Sequence, residues 1–202
     1  MRRWFLLVAW VAAAGACTSG PPAPDDSKVL QSIEAWRSDR EQLFRDGPDS
    51  PIPADKKTTL LPIPYYAVDP SFIVPAALKL ADERPVFEIP TSTGTLRRYQ
   101  LVGTLEFRLQ GQPMTLGALV PAGEEIDTLF VPFLDLTSRN GETYPAGRYL
   151  DVEPTSTGIY SIDFNRAYNP YCAYNRAYEC PYPPSSNRLK IAVRAGEKAP
   201  PA

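Results

Sequence analysis

Proline sets the first limit on this chain: 23 of its 202 residues are proline, and all of them lie beyond residue 16. Proline fixes φ at about −65° and removes a backbone donor, so it ends helices and stays out of central strands. A content this far above the usual share of about 5% predicts short strands and fixed turns. The one convincing helix is SKVLQSIEAWRSDREQLFR, where Val29/Leu30, Ile33, Trp36, Arg40 and Leu43/Phe44 fall on one stripe. Asp26 or Ser27 can cap it, and Gly47 with Pro48 stops it. Trp36 reads as a core anchor of that helix.

Beyond residue 50 the periodicity changes to short alternating runs between turn residues. Strands are predicted within 72–80, 85–94, 96–111, 129–138, 147–154, 159–164 and 188–196. In the third, Leu101, Gly103, Leu105, Phe107 and Leu109 share one face. Asn140-Gly141 is a strong hairpin signal. With no alternating βα units, this pattern predicts an antiparallel β-sandwich or partly closed barrel with one N-terminal α-helix. A single domain is expected over 27–198, with 199–202 as a tail.

The N-terminus carries Met1-Arg2-Arg3, an apolar run from Trp4 to Ala14, and then Gly15-Ala16-Cys17. This order predicts a signal peptide over 1–16. Cys17 follows small residues as in a bacterial lipobox, so lipidation of Cys17 is expected, with 17–26 as a tether. Ordinary signal cleavage leaving Cys17 as a thiol is the alternative. The expected location is therefore a cell membrane or outer membrane, lipid-anchored and facing the periplasm or exterior. The processed chain holds 19 Lys+Arg against 23 Asp+Glu, a net charge of −4. Without a basic stripe, nucleic acid is not an expected partner.

Histidine is absent, which removes Ser–His–Asp and Cys–His catalysis and His-based zinc sites. Acid–base chemistry would need a shifted carboxylate, with Asp163 and either Glu197 or Asp135 as the candidate pair. Glu124, Glu125 and Asp127 crowd one turn without EF-hand spacing and read as a solvated acidic turn. No metal or cofactor is expected. Cys172 and Cys180, close together in an exported protein, are expected to form a disulfide.

The stretch DFNRAYNPYCAYNRAYECPYPPSSNRL, residues 163–189, holds five tyrosines and four asparagines. Tyrosine brings an apolar body with a polar tip, and asparagine tolerates turns. Such residues suit either an irregular segment packed on a core or a ligand pocket. The motif D-F-N-x-A-Y-N-P-x-C-A-Y, followed by C-P-x-P-P-x-x-N-x-L and A-G-E-K, resembles the DUF1684 family of bacterial and archaeal proteins. Tyr171 and Tyr182 stand where that family more often shows Pro and Leu. The resemblance implies no activity.

Three functions compete on these residues. A binding module for a small molecule or glycan, such as an envelope fragment, would use Tyr144, Arg148, Asp163, Asn165, Tyr168 and Asn169. Asn165 is expected to face the pocket, while Arg148 can instead form a structural ion pair with Asp163. A structural or assembly lipoprotein and a carboxylate-dependent hydrolase are the alternatives.

Overall fold

The computed structural model describes residues 26–201. The expected signal segment, Cys17 and residues 17–25 of the tether lie outside the described residues. Helix α1 spans Asp26–Asp46 and stops as the sequence predicts, with the Gly47 N–H donating to Leu43 O at 2.9 Å. Its stripe buries Ile33 and Phe44 completely. Phe44 then anchors a small core with Ile52, Ile63 and Tyr174. A one-turn helix, α2 (Lys57–Leu60), contributes Leu60 to the same core.

Among the described residues seven strands form one antiparallel sheet: β1 Ile73–Leu80, β2 Val86–Pro90, β3 Leu96–Leu109, β4 Gln112–Pro121, β5 Leu129–Phe133, β6 Arg148–Val152 and β7 Ile159–Asp163. Their order is β6-β5-β4-β3-β1-β7, with β2 paired to the first part of β3. The end strands β6 and β7 come back into contact. The sheet therefore curls into a partly closed barrel, filled by Leu105, Leu116, Val131, Leu150, Ile162 and Phe164.

The sequence pattern predicts no strand where β4 lies. Its residues 116–120 are buried on both faces, so the apolar run does not alternate. Gln110 and Gly111, at φ 51° and 77°, form the tight β3–β4 loop, which needs left-handed backbone at both positions. The Asn140-Gly141 signal sits in a turn of the long connection between the paired strands β5 and β6, not in a tight two-residue hairpin loop.

Two irregularities prepare the site. A register shift between Leu101 and Gly103 in β3 changes which face its side chains take. Val102, Leu105, Phe107 and Leu109 fill the barrel, while Tyr99 and Leu101 pack outside it with Ile89, Leu119 and Phe130. The single expected face of 101–109 is thus split.

The second irregularity is the expected strand at 188–196, which is not a strand. Leu189, Ile191, Val193 and Ala195 do alternate into the barrel core. Its first half bonds to the 134–136 backbone, but from Val193 on several of its backbone groups are taken by side chains. Arg148 donates to the carbonyls of Val193, Ala195 and Glu197, and Asp135 accepts from the Val193 N–H at 3.0 Å. A buried ion pair stands where a neighbouring strand would be.

Candidate functional site

Most polar residues of the 163–189 motif turn out to complete the fold. A side-chain amide offers the same donor and acceptor as a peptide, so asparagine can extend a ladder that backbone leaves unfinished. Asn165, fully buried, accepts from the Asp69 N–H at 2.9 Å and donates to the Asp69 carbonyl at 3.0 Å. Asn187 does the same with Gly117 at 2.7 and 2.9 Å, and also reaches Pro132 O at 2.8 Å. It thereby bridges β4 and β5, which share a single paired position, Leu119 with Phe130. Asn169 donates to Lys198 O at 2.7 Å.

The expectation that Asn165 faces a pocket is therefore corrected. Arg148 and Asn169 are likewise completely buried and line neither of the two cavities described below. Arg148 does form an ion pair, but with Asp135 at 2.9 Å rather than Asp163. Asp163 caps the turn at 164–166 and pairs with Arg166 at 3.3 Å. The candidate catalytic pairs fail geometrically, because Asp135 and Glu197 are sealed inside the protein with arginine partners.

Glu197 is the hub of a second buried cluster. It accepts from Arg40 Nε at 2.5 Å, from the Tyr174 hydroxyl at 2.7 Å and from the Asn169 N–H at 2.7 Å. Burial works against the Arg40 charge, but Glu197 more than offsets it and holds Arg40 above its ordinary range. Sequence reasoning placed Arg40 on the inward stripe of α1 without a role. An arginine at an inward helical position was the signal for a buried carboxylate partner.

Arg40 also forms the floor of an open cavity of about 540 Å³ between α1, the outer face of the sheet and the C-terminal segment. The helix supplies Trp36, Asp39, Arg40 and Leu43, spaced by three and four on one face. The sheet supplies Arg97, Tyr99, Phe130, Tyr149 and Asp151. The motif closes the third side with Tyr168, Tyr171, Tyr178 and Glu179. Trp36, expected as a core anchor, is half-buried on this wall.

Four rings run across the sheet in unbroken contact. Tyr99 stacks on Phe130 with centroids 5.6 Å apart, Phe130 meets Tyr149 edge-on at 4.7 Å, and Tyr149 meets Tyr168 at 5.8 Å. The Arg40 guanidinium lies 4.7 Å from the Tyr168 ring centre and 4.5 Å from that of Phe44. Burial pushes the Tyr149 and Tyr168 hydroxyls far up, so both remain donors, to Pro181 O and to Asp151. The Asp151 carboxyl is held above the usual range by the protein around it, against the Tyr168 bond that favours its charge. Its side chain still reaches solvent.

Of the predicted ligand-binding residues, Tyr168 alone lines this cavity. Tyr144 lines a second one, of about 550 Å³, together with Lys56, Cys172 and Arg176. Cys172 and Cys180, the pair expected to form a disulfide, stand as free thiols in the structure, and both are buried. The Cys172 N–H donates to Cys180 Sγ at 3.1 Å. The hydrogen bond from the Cys180 thiol lowers Cys172 to about 7 against the effect of burial, and the same contact raises Cys180. Among the described residues no cluster of three or more Cys, Asp or Glu could hold a metal ion.

The family described as "Protein of unknown function (DUF1684)" matches residues 59–198. The solution NMR structure of an uncharacterized protein of Haloarcula marismortui is similar, at 36% identity and a TM-score of 0.69. The match covers 86% of this chain and 96% of that one. No curated protein matches the chain.

Proposed function

The chain belongs to the DUF1684 family, a membership that brings no activity with it, and we propose from the site itself that the chain is a binding module. Its ligand is a small polar molecule with a face that can lie on aromatic rings, such as a sugar or an envelope fragment. The observation that carries this reading is the row Tyr99–Phe130–Tyr149–Tyr168 along an open cavity of about 540 Å³ that also holds five charged side chains. Ligand pockets of roughly 300–1,000 Å³ combine such apolar walls with a few polar groups. Tyr99 and Tyr149 are buried, but Phe130 and Tyr168 are only partly so, and ring area left to water is otherwise a cost.

Saturation-transfer NMR of the full chain in detergent, against a panel of sugars, muropeptide fragments and amines, tests the reading. A binder should lose at least about tenfold in affinity on Trp36→Ala, roughly 1.4 kcal/mol. Binders whose affinity ignores Trp36→Ala would place the ligand elsewhere and end this proposal.

The same proposal includes export and a lipid anchor at Cys17, supported by the Met1–Cys17 sequence pattern. Cys17→Ala should move the protein from the membrane to the soluble fraction. A variant that stays with the membrane removes the anchor.

A further inference from the structure

The charges around the aromatic cavity are unequally matched, and the imbalance has a sign. Both arginines that line it already hold a carboxylate: Arg40 is paired with Glu197 at 2.5 Å and Arg97 with Glu179 at 2.9 Å. Two lining carboxylates have no such partner. Among the described residues, neither Asp39 on the α1 wall nor Asp151 on the β6 wall lies within ion-pair distance of a cation. Asp151 accepts one hydrogen bond, from the Tyr168 hydroxyl at 2.9 Å. Asp39 accepts none from the described residues.

An anionic ligand would find only cations already neutralised by a carboxylate, and would face two open carboxylates. A cationic ligand meets the reverse: two unmatched negative groups on opposite walls and π-faces between them. The protein already uses this environment for a cation of its own, since the Arg40 guanidinium sits among Tyr168, Phe44 and Trp36 with centroids at 4.7, 4.5 and 6.0 Å. Repulsion from Arg40 is offset by Glu197 directly behind it.

We propose that the cavity takes an organic ammonium ion, its apolar body on the Tyr99–Tyr168 row and its charged head at Asp39 and Asp151. This rests on the binding reading above and narrows its ligand class. A quaternary ammonium suits the site through cation–π contact, and a primary amine through hydrogen bonds to the carboxylates.

The test compares three probes that share one aromatic ring: benzyltrimethylammonium, neutral benzyl alcohol and anionic phenylacetate, with N-acetylglucosamine as a neutral sugar. Titrations of the full chain in detergent are followed by NMR. The ammonium should bind at least about tenfold more tightly than any other probe. Its affinity should weaken at least about threefold between low and high salt, because exposed charges are screened. Asp39→Asn and Asp151→Asn should each reduce ammonium affinity severalfold and leave benzyl alcohol unaffected. Asp39 is exposed on a helix surface, so its variant keeps the fold even where Asp151→Asn does not.

Preferential binding of phenylacetate or N-acetylglucosamine would overturn the cation assignment while leaving a binding cavity. Ammonium binding unaffected by Asp39→Asn and by salt would overturn it too. No binding by any probe or by the wider panel, in a folded protein, would overturn both this inference and the binding reading it rests on.

Discussion

Arg148 and Tyr149 are neighbours in β6, yet they belong to two regions that use polar chemistry in opposite ways. Strand alternation sends Arg148, Leu150 and Val152 to the barrel interior, and Tyr149 and Asp151 to the cavity. On the inner side Arg148 gives its Nη donors to Asp135 and three carbonyls; only its Nε lacks a partner, and its guanidinium faces the Phe133 ring at 5.3 Å. On the outer side, among the described residues, no cation lies within ion-pair distance of Asp39 or Asp151, and the tyrosine rings line an open space. The same residue types thus do two jobs. Internally satisfied groups are there to close the fold, whereas groups left unmatched beside a cavity are available to a ligand.

The strongest way to break this comparison is at the inner pole. Arg148→Ala leaves Asp135 as an uncompensated buried charge and strips the 193–197 backbone of its donors, for an expected loss of about 3–5 kcal/mol. Asn165→Ala should lose about 1–3 kcal/mol for the orphaned Asp69 peptide groups. Urea unfolding monitored by circular dichroism measures both. Should Asn165→Ala lose nothing, the amide would not be acting as a ladder extension.

The cysteine pair gives the next effect. Oxidation should link Cys172 to Cys180, and closing the nine-residue loop should stabilise by about 2.5 kcal/mol in the chain-entropy model. A non-reducing peptide map after mild oxidation reads the linkage directly. Two thiols that both remain alkylatable after that treatment would mean the contact does not mature into a bond.

The smallest effect lies on the surface. The Arg194 and Asn140 bonds hold the Glu142 carboxyl at about 2, well below its ordinary 4.5. A depressed carboxylate contributes stability above its unfolded value and loses it as pH falls through the folded one. The parent should therefore melt slightly above Glu142→Gln near pH 7, and the gap should close by about pH 2. A gap that does not change with pH would assign the difference to packing instead.

Much of the architecture was legible in the residues. Proline spacing and alternation located α1 and six of the seven strands, because they depend on which positions along a segment are apolar. Strand β4 escaped the same test, since burial on both faces erases the alternation. The motif at 163–189 identified a family but misdirected the site. Its asparagines carry turn and pocket chemistry equally well, and only their neighbours distinguish the two.

The chain by itself determined which residues turn inward: the alternation of 189–195, the stripe that carries Arg40, and the buried position of Phe44. Only the tertiary structure decided what each inward group meets. Asp135 and Asp163 lie 13 and 15 positions from Arg148, and nothing in those spacings ranks them. Curling of the sheet does, by bringing β5, β6 and the C-terminal segment around one guanidinium. Periodicity reports the face of an element, while an ion pair or a cavity wall depends on contacts of a few ångströms across a gap that the chain order does not contain.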